Sequence, residues 1–362
     1  MKNTNKLGLA VIAIWLLLSI LVWLTPAQDY SQDERRILAQ FPELSLSSLG
    51  SGKFMDLFDN YSRDQFPERF MFRQLKAQVH TKILRQKDNN GIYIKNGQAS
   101  SLDDELNLNA LDQSIDKINQ IRSSYLGEDN KVYFALIPDK NYYLAGDDYP
   151  SLDYDRLFSY MKEKSNLNFI DLRKNLGIDD YYKSDLHWRQ ERLLPLAKDL
   201  AKTMGIDELV DFNYEIRDTK KTFLGVYYGQ SGLKLQGDKL VYLDKKELEE
   251  IQVYNLEKDE YNKVYNLEKL EGRDPYDIFL SGPAALLIAD NPQASSDRNL
   301  IIFRDSFGSS LAPLLMEAYN KTSLVDLRYI KPELIGDYLD FENSDVLFLY
   351  SSRILNTAGI FK

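Results

Sequence analysis

Only two histidines, His80 and His187, occur in 362 residues. His187 lies in "YYKSDLHWRQE" (181–191), with Asp185 two positions before it and Trp188 directly after. An aspartate at that spacing in a turning segment can reach the imidazole Nδ1–H, fix the tautomer and stabilise the imidazolium. An imidazole held in this way is a general base and calls for a nucleophile. The candidate is Ser306 in "NLIIFRDSFGSSLAPLL" (299–315). Residues 299–303 read as a buried strand, 304–307 as a tight turn, and Leu311, Leu314, Leu315 and Ala318 as the buried stripe of a helix. That places Ser306 before a helix N-terminus, where free backbone N–H groups stabilise an oxyanion. Taken singly, Asp-x-His is an ordinary polar loop, and Asp305 and Ser306 are ordinary caps. Their joint placement at one end of one sheet points to an Asp-His-Ser triad.

Several elements must position these residues. Leu108, Leu111, Ile115, Ile118, Ile121 and Tyr125 predict an amphipathic helix leading into a buried strand, "KVYFALIPDK" (131–140). A short helix at 153–164 precedes the strand 166–172, and a helix from about Arg189 to Met204 follows the histidine. Strands at 299–303, 323–327 and 345–352 alternate with helices at 309–320 and 332–338. This rhythm predicts an α/β domain with a largely parallel sheet flanked by helices, its chemistry at the carboxyl ends of the strands. "GIYIKNGQA" (91–99) reads as a hairpin. Residues 206–276 interrupt the rhythm as a β-rich insertion. The hexapeptide "VYNLEK" occurs there at 253–258 and 264–269 and suggests a hairpin of two similar strands.

The N-terminus bounds where such a domain works. Leu7 to Leu24 is an uninterrupted apolar run of membrane-spanning length, with Lys2 and Lys6 before it and Asp29, Asp33 and Glu34 after it. The expected order is a cytoplasmic end (1–6), a transmembrane signal-anchor (7–25), a membrane-proximal helical segment (26–90) and the catalytic domain (91–362) outside the membrane. Thr25-Pro26-Ala27 resembles a cleavage site, but the length of the run favours an uncleaved anchor. His80 lies beside a helical apolar stripe (Phe70, Phe72, Leu75, Val79, Ile83) and reads as structural or surface.

Composition excludes other chemistry. Without cysteine there is no disulfide, thiolate zinc site or cysteine nucleophile, and two histidines exclude a histidine-rich metal site. A net charge of −10 argues against a nucleic-acid partner.

"YYKSDLHW", "PDKNYY", "FRDSFGSSLAPLL", "VDLRYI", "DPYDIFLSG" and "FPELSLSSLGSGKFMDLFDNYSRDQFPERF" together resemble the DHHW family of exported proteins and the related alginate-type O-acetyltransferases. The resemblance spans most of the chain. It implies an SGNH-hydrolase-like fold in which Asp and His precede Ser in the chain, with Ser306 as nucleophile, His187 as base, Asp185 as its orienter and Trp188 packing the turn. Arg328 and Lys140 match further family positions and, with Ser309, are candidates for substrate or oxyanion contact. The implied activity is serine O-acetylation of a cell-surface or exported polysaccharide, without a cofactor, the acyl group being delivered by a multispanning membrane acyltransferase. A carbohydrate esterase with the same triad, or a non-catalytic polysaccharide-binding or assembly protein, are the alternatives. Three departures stand out: Leu186 replaces a second histidine, Arg189-Gln190-Glu191 replaces a Thr-Gly-Ala pattern, and Gly282-Pro283 replaces a glycine followed by a polar residue.

Overall fold

A computed structural model describes residues 2–294 and 296–362, with side chains from Lys6 onward except at Trp23. The chain divides into two compact units, residues 1–90 with 228–234, and residues 91–227 with 235–362.

The first unit opens with a helix, Lys2–Leu24, whose apolar side chains, among them Leu9, Trp15 and Leu24, are exposed. Among the described residues no helix is long and apolar enough to cross a membrane, and most of the expected cytoplasmic end lies outside the described side chains. Helices Leu46–Gly50, Lys53–Asp64 and Arg69–Gln78 follow. An ion cluster joins their ends to the preceding loop: Arg36 donates to Glu34 and Asp64, while Arg73 pairs with Glu34 at 2.9 Å. His80 sits half-buried in a single π turn, Val79–Ile83.

The second unit is built on an eight-stranded sheet. Its strands are β1 (Val132–Ile137), β2 (Asn168–Asp171), β3 (Gln252–Asn255), β4 (Glu260–Lys263), β5 (Leu286–Asp290), β6 (Asn299–Arg304), β7 (Lys321–Val325) and β8 (Ser344–Ser351), in spatial order β4-β3-β5-β7-β6-β8-β1-β2. From β7 to β2 all neighbours are parallel, and the β4-β3-β5-β7 edge is antiparallel. The late strand β8 lies between β6 and β1, so it joins the two halves. This large, mostly parallel sheet with helices agrees with the SGNH-hydrolase-like expectation.

The apolar runs are continuous because both faces are buried. Leu300 and Ile302 of β6 face one core with Leu196 and Leu200, while Ile301 and Phe303 face the other with Ile118 and Leu157. Helix α1 (Leu108–Tyr125) and helix α2 (Tyr154–Ser165) supply the second core, and helix α3 (Leu194–Met204) supplies the first.

Several boundaries differ from the sequence reading. Helix α3 begins at Leu194 rather than Arg189, with Pro195 in its first turn, where a missing N–H costs nothing. The helix expected over 309–320 stops after one turn, α4 (Gly308–Leu311), because Pro313 cannot donate into an α-helix; short 3₁₀ turns continue it. Residues 332–337 are likewise 3₁₀. The two "VYNLEK" copies do not pair: the first half of one copy lies in β3, which pairs with β4, and the other copy starts beyond β4. The insertion is not separate from the sheet, since β3 and β4 form its antiparallel edge. Strand β5 went unrecognised in the sequence.

Candidate active site

Parallel pairing puts the carboxyl ends of β1, β6, β7 and β8 along one edge. The residues just beyond them are Lys140, Asp305 and Ser306, Arg328, and Ser351 at the end of β8 itself. The turn after β6 is held by Asp305, which is buried. Its Oδ1 accepts from Phe307 N–H at 3.0 Å, and its Oδ2 accepts from Ser351 N–H at 2.8 Å. Asp305 therefore caps its own turn and ties it to the neighbouring strand. Gly308 lets the turn lie on the preceding arginine, since a Cβ there would stand 2.7 Å from Arg304 Cβ.

Residues 181–188 form a tight loop closed by a Tyr181–Trp188 bridge and by Tyr182 N–H donating to His187 C=O at 3.0 Å. Within it Asp185 and His187 are buried. Asp185 Oδ1 lies 2.6 Å from His187 Nδ1 and also accepts the His187 backbone N–H at 2.9 Å. A carboxylate only accepts, so the Nδ1 proton is assigned to the imidazole side and Nε2 is left as the acceptor. His187 Nε2 stands 2.7 Å from Ser306 Oγ. Asp185, His187 and Ser306 thus form one hydrogen-bonded line, and Ser306 is half-buried, within reach of solvent.

The imidazole plane is set by aromatic packing. Tyr276 stacks on His187 with centroids 4.0 Å apart and planes 12° from parallel, and Phe307 covers it at 5.0 Å. Trp188 is buried, meets Phe307 edge-on, and donates from Nε1 to Phe307 C=O at 3.1 Å and Ser310 Oγ at 2.8 Å. The Tyr276 hydroxyl shares Ser310 Oγ at 2.8 Å. The histidine loop and the serine helix are therefore stitched together on both sides of the base.

Lys140 acts from behind the loop. It is fully buried, and its Nζ donates to Tyr182 C=O at 2.6 Å, Asp185 C=O at 3.1 Å and Gln98 Oε1 at 3.3 Å. Burial pushes its ammonium down to about 8, while Asp185, Asp139 and Asp238 pull it back upward. The expected substrate contact by Lys140 gives way to backbone support of the aspartate. Ser309 is also turned inward, with its hydroxyl accepting from Arg304 Nη1 at 3.0 Å. Arg328 holds Asp326 in a two-pronged pair at 2.9 and 2.6 Å, which places its charge beside Asp305 rather than free in a cleft.

The oxyanion expectation is also narrowed. The N–H groups of Phe307, Gly308 and Ser309 are all engaged within the turn, and Gly282 N–H donates to Phe279 C=O. Leu280, Ser281 and Gly282 all carry positive φ, and at Gly282 a Cβ would meet the Asp277 carboxyl at 2.6 Å. Ser306 N–H has no partner among the described residues.

Sequence reasoning missed three supports. The insertion reaches the aspartate: Val226 N–H donates to Asp185 Oδ2 at 2.8 Å, and Gly225 N–H donates to Ser184 Oγ at 2.8 Å. Tyr276 lies in "DPYDIFLSG", and nothing in that stretch marks its ring as the partner of the imidazole. Gln190, one of the departures from the family pattern, is buried and donates to Ser310 C=O and Tyr265 OH while accepting from Leu243 N–H at 2.8 Å. No local pattern marks Gly225 or Gln190, because their partners lie 40 or more residues away.

No family model matches the sequence, and no curated protein matches it. Solved structures do. A DHHW family protein from Eubacterium siraeum superposes with a TM-score of 0.61 at 18% identity, over 75% of this chain and 94% of that one. Bacillus cereus PatB1 gives 0.60 at 19% identity, over 75% and 98%, and the same protein with a sulfonyl adduct gives 0.58 at 19%, over 75% and 97%. The chain shares their fold.

Proposed function

We propose that this chain is a serine O-acyltransferase that moves an acetyl group onto a sugar hydroxyl outside the membrane. The supporting observation is the line Asp185 Oδ1, His187 Nδ1, His187 Nε2, Ser306 Oγ, at 2.6 and 2.7 Å. In the first half-reaction His187 Nε2 takes the Ser306 proton as Oγ attacks the acyl carbonyl. The imidazolium, held by Asp185, returns that proton to the departing donor group, and the acetyl remains on Oγ as an ester. In the second half an acceptor hydroxyl gives its proton to Nε2 and attacks the ester, and Ser306 Oγ leaves with that proton. The Ser306 N–H, which has no partner among the described residues, is the donor we assign to the developing oxyanion.

The proposed location, on the extracytoplasmic side of the cell membrane, rests on the apolar run Leu7–Leu24 with lysines before it. Cytosolic acyl carriers do not reach that side, so a multispanning membrane protein would supply the acetyl group and an exported polysaccharide would receive it. The fold likeness to PatB1, solved with a sulfonyl adduct, supports a nucleophile open to sulfonyl reagents.

The test is direct. The purified chain in detergent is incubated with p-nitrophenyl acetate or phenylmethanesulfonyl fluoride, and intact mass follows the adduct. Wild type is expected to acquire one acetyl or sulfonyl group on Ser306, and Ser306→Ala none. Equal behaviour of the two proteins rejects the reading. Turnover to free acetate without transfer to any added sugar favours the esterase.

A further inference from the structure

A groove of about 620 Å³ opens in the insertion between β4, the segment after it and the loop following Tyr242. That is the size of a small-ligand site. Three tyrosines line it: Tyr242, Tyr261 and Tyr265. Tyr261 is 66% exposed, and the Tyr242 and Tyr265 rings lie 4.8 Å apart. The Tyr242 hydroxyl has no protein partner, and the rim carboxylates of Glu249 and Glu268 pair with no cation, among the described residues.

This is the chemistry of polyol recognition. A sugar ring carries C–H bonds on its faces, which rest on electron-rich aromatic faces, and hydroxyl groups on its rim, which donate to carboxylates. Free carboxylates repel an anionic chain and admit a neutral or amine-bearing one. Among the charged residues that line the groove, Asp244, Glu249 and Glu268 outnumber Lys263, so its wall is net acidic.

A layer of buried rings lies between the groove and the base. Tyr265 contacts Phe279 at 6.0 Å, Phe279 contacts Tyr276 at 5.0 Å, and Tyr276 stacks on His187 at 4.0 Å. Asn266, on the groove wall, donates to Ser281 Oγ at 3.0 Å in the left-handed loop at the carboxyl edge of the sheet.

We infer that this groove binds an uncharged or amine-bearing oligosaccharide and is a distal acceptor subsite, contributed by the insertion, that holds a long acceptor chain away from Ser306. Its role as acceptor subsite rests on the acyl-transfer reading, whereas its affinity for sugars does not. The test is calorimetric titration of the purified chain with cellotetraose, its amine-bearing counterpart (the fully deacetylated chitin tetramer) and tetramannuronate. The first two are expected to bind with Kd of ~1 mM or below, and tetramannuronate about tenfold more weakly. Tyr261→Ala, at an exposed ring, is expected to weaken binding about fivefold, and Tyr242→Ala at least as much. A Glu249→Gln/Glu268→Gln double variant is expected to narrow the gap to tetramannuronate. Failure of both uncharged and amine-bearing tetramers to bind, binding unchanged in Tyr261→Ala, or equal affinity for the anionic chain overturns the inference. Ser306→Ala separates the two readings: if it binds cellotetraose like wild type while wild type shows no acyl adduct, the groove stands and acyl transfer falls. An adduct on wild type with no sugar binding leaves the reverse.

Discussion

Gly225 lies so close to Asp185 that a Cβ on it would stand 2.3 Å from the aspartate Cβ and 2.4 Å from Ser184 C=O. Its φ is unexceptional, so the glycine is required by proximity rather than by backbone freedom. Gly225→Ala must therefore push the insertion off the aspartate. The expected outcome is a stability loss of about 1–3 kcal/mol in urea unfolding and at least a tenfold fall in small-ester turnover. Unchanged turnover would mean that the Val226 N–H does not orient the carboxylate.

Lys140 makes a pH-dependent version of the same argument. The unfolded chain keeps the lysine proton up to its ordinary value of 10.5, while the folded chain releases it at about 8. Between those values the unfolded state binds more protons, so this group makes stability rise with pH there. Lys140→Met removes the slope, and the difference in unfolding free energy between wild type and variant should increase across about pH 8 to 10.5.

Activity should move the other way. Loss of the proton above about pH 8 weakens the grip on Tyr182 C=O and Asp185 C=O, which gives wild type an alkaline fall in kcat. Lys140→Met should have a lower kcat, by about tenfold, an unchanged KM and no such fall. A variant that keeps both the rate and the alkaline limb would show that the lysine supports the fold alone.

The stacking of Tyr276 on His187 separates two contributions. Tyr276→Phe keeps the ring and loses only the bond to Ser310 Oγ, so a cost near 1 kcal/mol and a rate within about fivefold of wild type are expected. Tyr276→Leu removes the flat face and frees the imidazole to rotate; its kcat should fall well below that of the phenylalanine variant. Equal rates for the two would assign the residue to packing.

Gln190 is predicted to matter for assembly. Gln190→Leu leaves the buried Leu243 N–H and Ser310 C=O without their partner, at about 1–3 kcal/mol for each buried group left unmade. Thermal unfolding should drop markedly, whereas an unchanged midpoint would mean that water enters to replace the amide.

Which features were readable follows from range. The strand runs, the hairpin near residue 92 and the placement of Ser306 at a strand end all rest on local periodicity, and "SDLHW" carried its own i−2 geometry. Helix α4 was overestimated because the apolar stripe continued past Pro313, whose missing N–H decides the matter. Strand β5 was missed although only eight residues separate it from β6, too few for a parallel crossover. Lys140, Gly225 and Gln190 act on partners distant in sequence. Ser309 and Lys140 were expected to face substrate because position along the chain does not reveal which way a side chain turns.

The location of β8 carries a consequence for synthesis. Its residues 344–351 occupy the slot between β6 and β1, and Ser351 N–H completes the hold on Asp305. A nascent chain halted before residue 344 holds its nucleophile and its base on two half-sheets with no seam between them. A chain that lacks residues 344–351 would therefore not hold Ser306 against His187.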